Sequence, residues 1–239
     1  MFLMQVVIFC GGKGTRMDEK SREIPKHLLH IGDKPILWHV MKIYSHYGHK
    51  EFILCLGYLG NMIKEYFSKP ENREPDWKIE FVDTGLDSMK SERLKKVEPY
   101  IKGDTFLLAY GDDVSDVDIS KVIRLHKDKK AVVTLTAVHE TSAFGVMDID
   151  KGSMITKFTE KPVLKHWVNG GFYVVDKKVF GYIRPKMEFE VEVFNELVRD
   201  KKIAAYEHDG FWLSMNTQKD FQILNELWKN GAPWAVWKK

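Results

Sequence analysis

A doubly wound α/β fold with a mixed, mostly parallel sheet is predicted for this 239-residue chain by three observations. Short, continuous apolar runs alternate with helical patterns through residues 1–130, as strands covered on both faces do. The connections between them are short, which favours strand–helix–strand crossovers of one hand. The first run, "QVVIFC" (5–10), ends directly in a glycine-rich segment, "GGKGTRM" (11–17).

The elements follow in order. Residues 5–10 read as a central strand, and Ile36, Val40, Ile43 and Tyr47 recur at helical spacing in "PILWHVMKIYSHYG" (35–48), with Gly48 as the stop. Strands at 51–58, 77–85 and 105–113 alternate with helices at 61–68, 91–101 and 118–129. Asp116 and Asp118 are placed to cap the last of these helices. From residue 131 the pattern becomes β-rich, with strands expected at 131–138, 144–150, 154–161 and 167–176. Helical stretches at 188–200 and 218–230 close the chain, separated by "AAYEHDGFWLSMNT". No Pro-, Gly- or Ser-rich linker interrupts it. One domain over 1–239 is expected, with a nucleotide-binding half (1–130) and an acceptor-binding half (131–239) sharing one sheet.

Composition narrows the partners. With 44% hydrophobic and 13% aromatic residues the chain can bury a large core. A balance of 37 basic against 34 acidic residues argues against a nucleic-acid or membrane-surface partner. Any anionic substrate must then be held by a local cluster of cations. Cys10 and Cys55 both lie in strand-like runs, as buried thiols of a reduced protein would. The N-terminus lacks a basic region and a cleavage site of the signal-peptide kind. No apolar run reaches the roughly 18 residues of a membrane span, so a cytoplasmic location is expected.

The glycine segment points to phosphate, since glycines let the backbone approach an anion closely. It fits neither of two familiar patterns. A Walker loop needs Lys after its last glycine, and here Gly14 is followed by Thr15. A dinucleotide fingerprint needs a third glycine where Met17 stands. Strand topology should bring Gly11–Arg16, Gly57–Tyr58 and Asp112–Asp113 to one cleft at the carboxyl ends of the strands. Arg16 and Lys26 could neutralise phosphate charge there, or be ordinary surface cations. Asp112 and Asp113 could hold Mg²⁺, or form a solvated acidic turn. Lys161, in "EKP", sits where it could pair with a second phosphate. "NGG" (169–171) marks either a tight turn or a place where ligand meets bare backbone. The tryptophans at 212, 228, 234 and 237 indicate core packing or a docking surface.

Ten segments in order, among them "GGKGTRM", "PKH", "VDTGLDSMKSERLKKV", "YGDDVSDVDI", "FTEKP", "NGGFYV" and "GAPWAVW", resemble the sugar-1-phosphate nucleotidyltransferases, and within them the cytidylyltransferase branch. The resemblance runs from residue 4 to the C-terminus. It implies a Rossmann-like fold of the nucleotide-diphospho-sugar transferase type and a Mg²⁺-dependent reaction in cell-surface polysaccharide precursor synthesis. In that reaction an acceptor phosphate attacks the α-phosphorus of CTP and pyrophosphate leaves. Carried over by residue, Gly11, Gly12, Gly14, Thr15, Arg16, Gly57 and Arg93 would serve the nucleotide. Arg16, Lys26 and Asp112 would be catalytic, and Asp112 and Asn216 would hold the metal. Lys161, Asn169, Gly170, Gly171 and Glu190 would border the acceptor. The resemblance also implies a homo-oligomer.

Departures from the family pattern fall around the metal and the acceptor. "PKP" is "PKH" here, "TGGRLK" is "KSERLK", and "PMDT" is "SMNT", which puts Asn216 where a carboxylate is usual. Asp113 replaces a glycine and could restore the charge. "VLKHW" replaces a glycine–aspartate stretch after "EKP". The acceptor is therefore expected to be a sugar 1-phosphate such as glucose 1-phosphate, or a non-sugar phosphate such as L-glutamine phosphate. A catalytically impaired, nucleotide-binding regulatory homologue is the alternative.

Overall fold

The computed structural model describes residues 3–12 and 23–238. Gly14, Thr15 and Arg16 therefore lie outside the described residues. The chain forms a mixed α/β structure around one eight-stranded, mainly parallel sheet. In chain order the elements are β1 (Gln5–Phe9), β2 (His30–Ile31), β3 (Lys34–Pro35), α1 (Ile36–His46), β4 (Glu51–Leu56), α2 (Gly60–Ser68), β5 (Lys78–Asp83), α3 (Lys90–Val97), β6 (Thr105–Tyr110), β7 (Asp113–Ser115) and α4 (Ile119–Lys129). The second half adds β8 (Val133–Thr141), β9 (Val146–Ile149), β10 (Ile155–Thr159), β11 (Val163–Asn169), β12 (Tyr173–Asp176), α5 (Phe194–Arg199), β13 (Ile203–His208), β14 (Trp212–Ser214) and α6 (Gln218–Lys229).

β1 lies at the centre, parallel to β4 on one side and to β6 on the other, with β5 beyond β4. Its residues alternate between the two layers. Val6 and Ile8 face α1, α2, α4 and the C-terminal segment, while Val7 and Phe9 face α3 and the 179–197 region. That two-sided burial explains the unbroken apolar run. The second half continues the same sheet rather than building its own: β12 pairs antiparallel with β6 and with β8. β8 also pairs with β11 and, in parallel, with β13.

Three expectations are corrected. The run 167–176 is not one strand. β11 stops at Asn169, and the left-handed conformations of Gly171 and Phe172 (φ +73° and +46°) turn the chain into β12. The segment 204–217, read as a connection, carries β13 and β14, whose pairings are with distant strands and leave no local period. Only Asp118 caps α4, accepting from Lys121 N–H at 3.2 Å. Asp116 instead accepts from Phe211 N–H at 2.8 Å and lies 3.1 Å from His208.

Both cysteines are free and buried. The C-terminal tryptophans turn inward: Trp234 is fully buried, and Trp228, Trp234 and Trp237 surround the His39 ring of α1. They are core packing. A run of exposed apolar side chains lies instead on β9, β10 and β11, where Ile149, Ile155, Phe158 and Val163 are each more than half exposed. Among the described residues no helix is long and apolar enough to cross a membrane.

His39 must be neutral to fit its cage. Its Nε2 lies 2.9 Å from the Ile31 carbonyl and its Nδ1 accepts from Trp234 Nε1 at 3.4 Å. Burial lowers its pKa from 6.5 to about 4, and does the same for His49, whose Nδ1 accepts from Met4 N–H. Because the folded values lie below the unfolded ones, the unfolded chain binds more protons between these limits. The stabilisation from keeping each ring neutral is present above pH 6.5 and lost as pH falls toward 4. Urea unfolding at pH 7.5 and 4.5 should differ by up to about 3 kcal/mol for each ring. His39→Gln should flatten that slope.

Candidate active site

The strands deliver their carboxyl ends to a cleft of about 660 Å³. From the first half come Gly11 and Gly12 after β1, Lys26 and His27 before β2, Ser88–Lys90 and Arg93 around the start of α3, and Tyr110, Asp112 and Asp113 after β6. From the second half come Asn169 at the end of β11, Glu188 and Glu190, and Trp212, Ser214 and Asn216 on and after β14.

The floor is set by close backbone approach. A Cβ on Gly57 would lie 2.6 Å from the Gly11 carbonyl oxygen, and one on Gly11 would strike the Arg93 guanidinium at 2.3 Å. Only glycine at both positions lets the ends of β1 and β4 meet. Arg93, buried to 5% exposure, ties them together. Its Nη1 donates to Leu56 O at 3.1 Å and Thr84 Oγ1 at 2.7 Å, and its Nη2 to Gly11 O at 3.2 Å and Leu86 O at 3.1 Å. These donors are occupied by the protein's own oxygens, so Arg93 shapes the glycine turn from behind. Gly57 likewise sits behind Gly11 and outside the cleft lining.

The side of the cleft that carries Asp112 and Asn216 is built by a strand pair that sequence periodicity did not reveal. β14 runs antiparallel to β7 with Ser214 opposite Asp113, and Met215 N–H donates to Asp112 O at 3.0 Å. That register places Asn216 beside Asp112. Lys26 pairs with the Asp112 carboxylate. Asp113 is buried, and burial followed by the Asp112 charge pushes its carboxyl well above the usual range, opposed by a hydrogen bond from Ser214. Asn216 donates its amide N–H to Ser214 Oγ at 2.9 Å, so the amide oxygen is the atom available to a cation. His27 packs over Gly111, where a Cβ would lie 2.7 Å from the ring, and burial lowers its pKa to about 4.

The opposite wall is a hydrogen-bonded group. Glu190 accepts from Lys90 at 2.8 Å and from the Tyr110 hydroxyl, and Asn169 donates to the Tyr173 hydroxyl at 2.6 Å. Gly170 and Gly171 stand behind this wall: Gly170 O accepts from Trp212 Nε1 at 2.9 Å, and a Cβ on Gly171 would lie 3.3 Å from Asp113 Oδ2.

Of the residues expected in the site, Gly11, Gly12, Lys26, Arg93, Asp112, Asn169, Glu190 and Asn216 line one cleft. Lys161 does not. It is exposed, in a left-handed backbone conformation, with its ammonium 3.7 Å from Glu160. Sequence reading missed Lys90, Tyr110, Tyr173 and Ser214. Lys90 lies three residues before Arg93 at the start of α3, and Tyr110 ends the strand that leads into Asp112, so position beside known site residues was the available signal.

A cleft at the carboxyl ends of parallel strands, floored by a glycine turn and walled by lysines, carboxylates and amides, defines an α/β enzyme built for phosphate-bearing substrates. Residues 5–232 match the family model described as nucleotidyl transferase, and the chain belongs to that family of enzymes. It is 41% identical over 259 residues to glucose-1-phosphate cytidylyltransferase of Salmonella typhi, covering 98% of this chain and 100% of that one. It is 30% identical over 222 residues to D-glycero-α-D-manno-heptose 1-phosphate guanylyltransferase of Campylobacter jejuni, covering 91% and 97%. Its fold matches the crystal structure of HddC from Yersinia pseudotuberculosis complexed with GMP-PN, with a TM-score of 0.72 at 23% identity over 94% of this chain and 99% of that one.

Arg93→Ala should remove four buried or part-buried hydrogen bonds, to Gly11 O, Leu56 O, Leu86 O and Thr84 Oγ1, and cost about 3 kcal/mol. The measurement is the midpoint of urea unfolding. Arg93→Lys, which restores a single donor group, should recover only part of it.

Proposed function

We propose that the protein is a cytidylyltransferase that joins CTP to a phosphorylated small molecule and releases pyrophosphate. The carrying observation is the two-sided cleft, in which Gly11, Gly12, Lys26 and Asp112 stand across from Asn169 and Glu190. Similarity at 41% identity to a named glucose-1-phosphate cytidylyltransferase supports cytosine as the base and glucose 1-phosphate as the first acceptor to test. In the proposed reaction an acceptor phosphate oxygen attacks the α-phosphorus of CTP in line. Nothing covalent forms on the protein, so its contribution is positioning and neutralisation of charge.

Each half has its task in this reading. The Gly11–Gly12 backbone and Lys26 serve the triphosphate, together with Gly14, Thr15 and Arg16. Asn169 and Glu190 receive the acceptor. Mg²⁺ is the proposed metal. Among the described residues no group of three or more His, Cys, Asp or Glu side chains gathers as a cage. Asp112 and the Asn216 amide oxygen are nevertheless hard oxygen donors, which suits an ion that keeps its waters and takes its remaining ligands from substrate phosphates. When bound, Mg²⁺ supplies positive charge to the triphosphate. Lys26 holds the Asp112 carboxylate in the absence of substrate and is placed to turn to phosphate when it arrives.

A non-sugar acceptor such as L-glutamine phosphate is the second reading. It is favoured by the ammonium of Lys90 on the Glu190 wall, where the family pattern has "TGGRLK" and this chain "KSERLK".

Purified protein supplied with CTP, Mg²⁺ and a panel of phosphorylated acceptors should release pyrophosphate with at least one of them. Asp112→Asn should lower kcat by about 10²–10³-fold. CTP binding without turnover on any acceptor would overturn the enzymatic reading in favour of a nucleotide-binding regulator. Asn216→Asp should lower the Mg²⁺ concentration needed for half-maximal rate, since it adds a carboxylate beside Asp112.

A further inference from the structure

Glu190 enters the cleft from a π-type turn, Phe189–Val193, that leads into α5. Its carboxylate has more donors than a surface acid requires. Oε1 accepts from the Lys90 ammonium at 2.8 Å and from the Tyr110 hydroxyl. The Tyr110 hydroxyl is 2.8 Å from that of Tyr173, which in turn accepts from Asn169 Nδ2 at 2.6 Å.

The direction of this chain follows from its two ends. Gly171 N–H donates to Asn169 Oδ1 at 3.2 Å, which turns the amide nitrogen toward Tyr173. An amide nitrogen only donates, so Tyr173 accepts there and uses its own proton on Tyr110. Tyr110 accepts that bond and aims its proton at Glu190, which as a carboxylate only accepts. Every member thus donates toward Glu190. Tyr173 is fully buried, and burial raises both phenols well above the usual tyrosine range, so both stay protonated donors. Lys90 closes the arrangement from α3, its ammonium 4.8 Å from the centre of the Tyr110 ring.

With two donors on Oε1, Oε2 is the oxygen available to a molecule in the cleft that Glu190 lines. We propose that Tyr110 and Tyr173 are positioning residues, which hold Glu190 so that its second carboxylate oxygen receives a hydroxyl or N–H group of the phosphorylated acceptor. The relay reaches back through Asn169 to the turn at Gly171, so acceptor recognition is tied to the join between β11 and β12. The identity of the ligand rests on the proposed function; the positioning does not.

Two experiments separate these. Crystal structures of the wild type and Tyr110→Phe test positioning with no substrate present. The Glu190 side chain should leave its wild-type place when the hydroxyl is removed, and an unmoved Glu190 would overturn the proposal. Kinetics with CTP and glucose 1-phosphate test the ligand. Tyr110→Phe should raise KM for glucose 1-phosphate about tenfold while KM for CTP stays within twofold, and Tyr173→Phe should shift the same constant less. Equal rises in both constants, or none, would overturn it. If the wild type releases no pyrophosphate with any acceptor, the functional reading fails while the crystallographic comparison still decides the relay.

Discussion

The site depends on how closely the carboxyl ends of β1 and β4 approach each other. Gly11 and Gly57 meet at a distance no side chain would allow, and one buried guanidinium, Arg93, adds a further donor to the Gly11 and Leu56 carbonyls, which also accept from Tyr58 and Thr84. A buried cation without partners is costly, and these oxygens supply the partners. Arg93 satisfies oxygens from the ends of β1 and β4 and from the Thr84–Leu86 segment after β5, so it ties three neighbouring strand ends together. Gly11 and Gly12 face the cleft from there.

A second constraint is electrostatic. Three cations line the cleft among the described residues, and each is held by an oxygen partner: Lys26 by Asp112, Lys90 by Glu190, and Arg93 by backbone and Thr84. Asp113, adjacent to Asp112 and buried, is pushed toward its neutral form rather than adding a second full negative charge. Before substrate binds, the cleft is thus close to locally neutral. Anionic substrates can then be received by exchange of ion-pair partners, which avoids exposing a bare charge in a partly buried site.

The first half of the molecule was legible because its signals are local. β1, β4 and β6 are buried on both faces and read as apolar runs, β5 at the sheet edge alternates apolar and polar residues, and α1 and α4 carry helical periodicity that the structure reproduces within a few residues. Gly11 and Asp112 follow from strand topology, which sends strand ends to one edge, while Lys26 follows from its place after the glycine segment and from resemblance. The second half was less legible. β14 is three residues long and exists because it pairs with β7, and β13 exists because it lies along β8; neither pairing leaves a local period. The break at Gly170–Phe172 carries the "NGG" turn signal, yet the β-prone residues on both sides of it read as a single strand. Asn216 was placed by resemblance, and the β7–β14 register supplies the physical reason.

The structure places Lys161 outside the cleft lining. A lysine at the end of a strand, in a motif associated with phosphate, is a reasonable candidate for the acceptor wall. β9 and β10 nevertheless form a two-stranded ribbon of their own, outside the eight-stranded sheet, and Lys161 follows it with Glu160 as its ionic partner. The cation that stands on the Glu190 wall is Lys90, delivered by the start of α3 from the opposite half of the chain. Lys90 extends from the same helix as Arg93, so the element that fixes the glycine turn also reaches across to Glu190. Lys90 and Arg93 thus tie α3 to both sides of the cleft, to Glu190 on one and to Gly11 on the other.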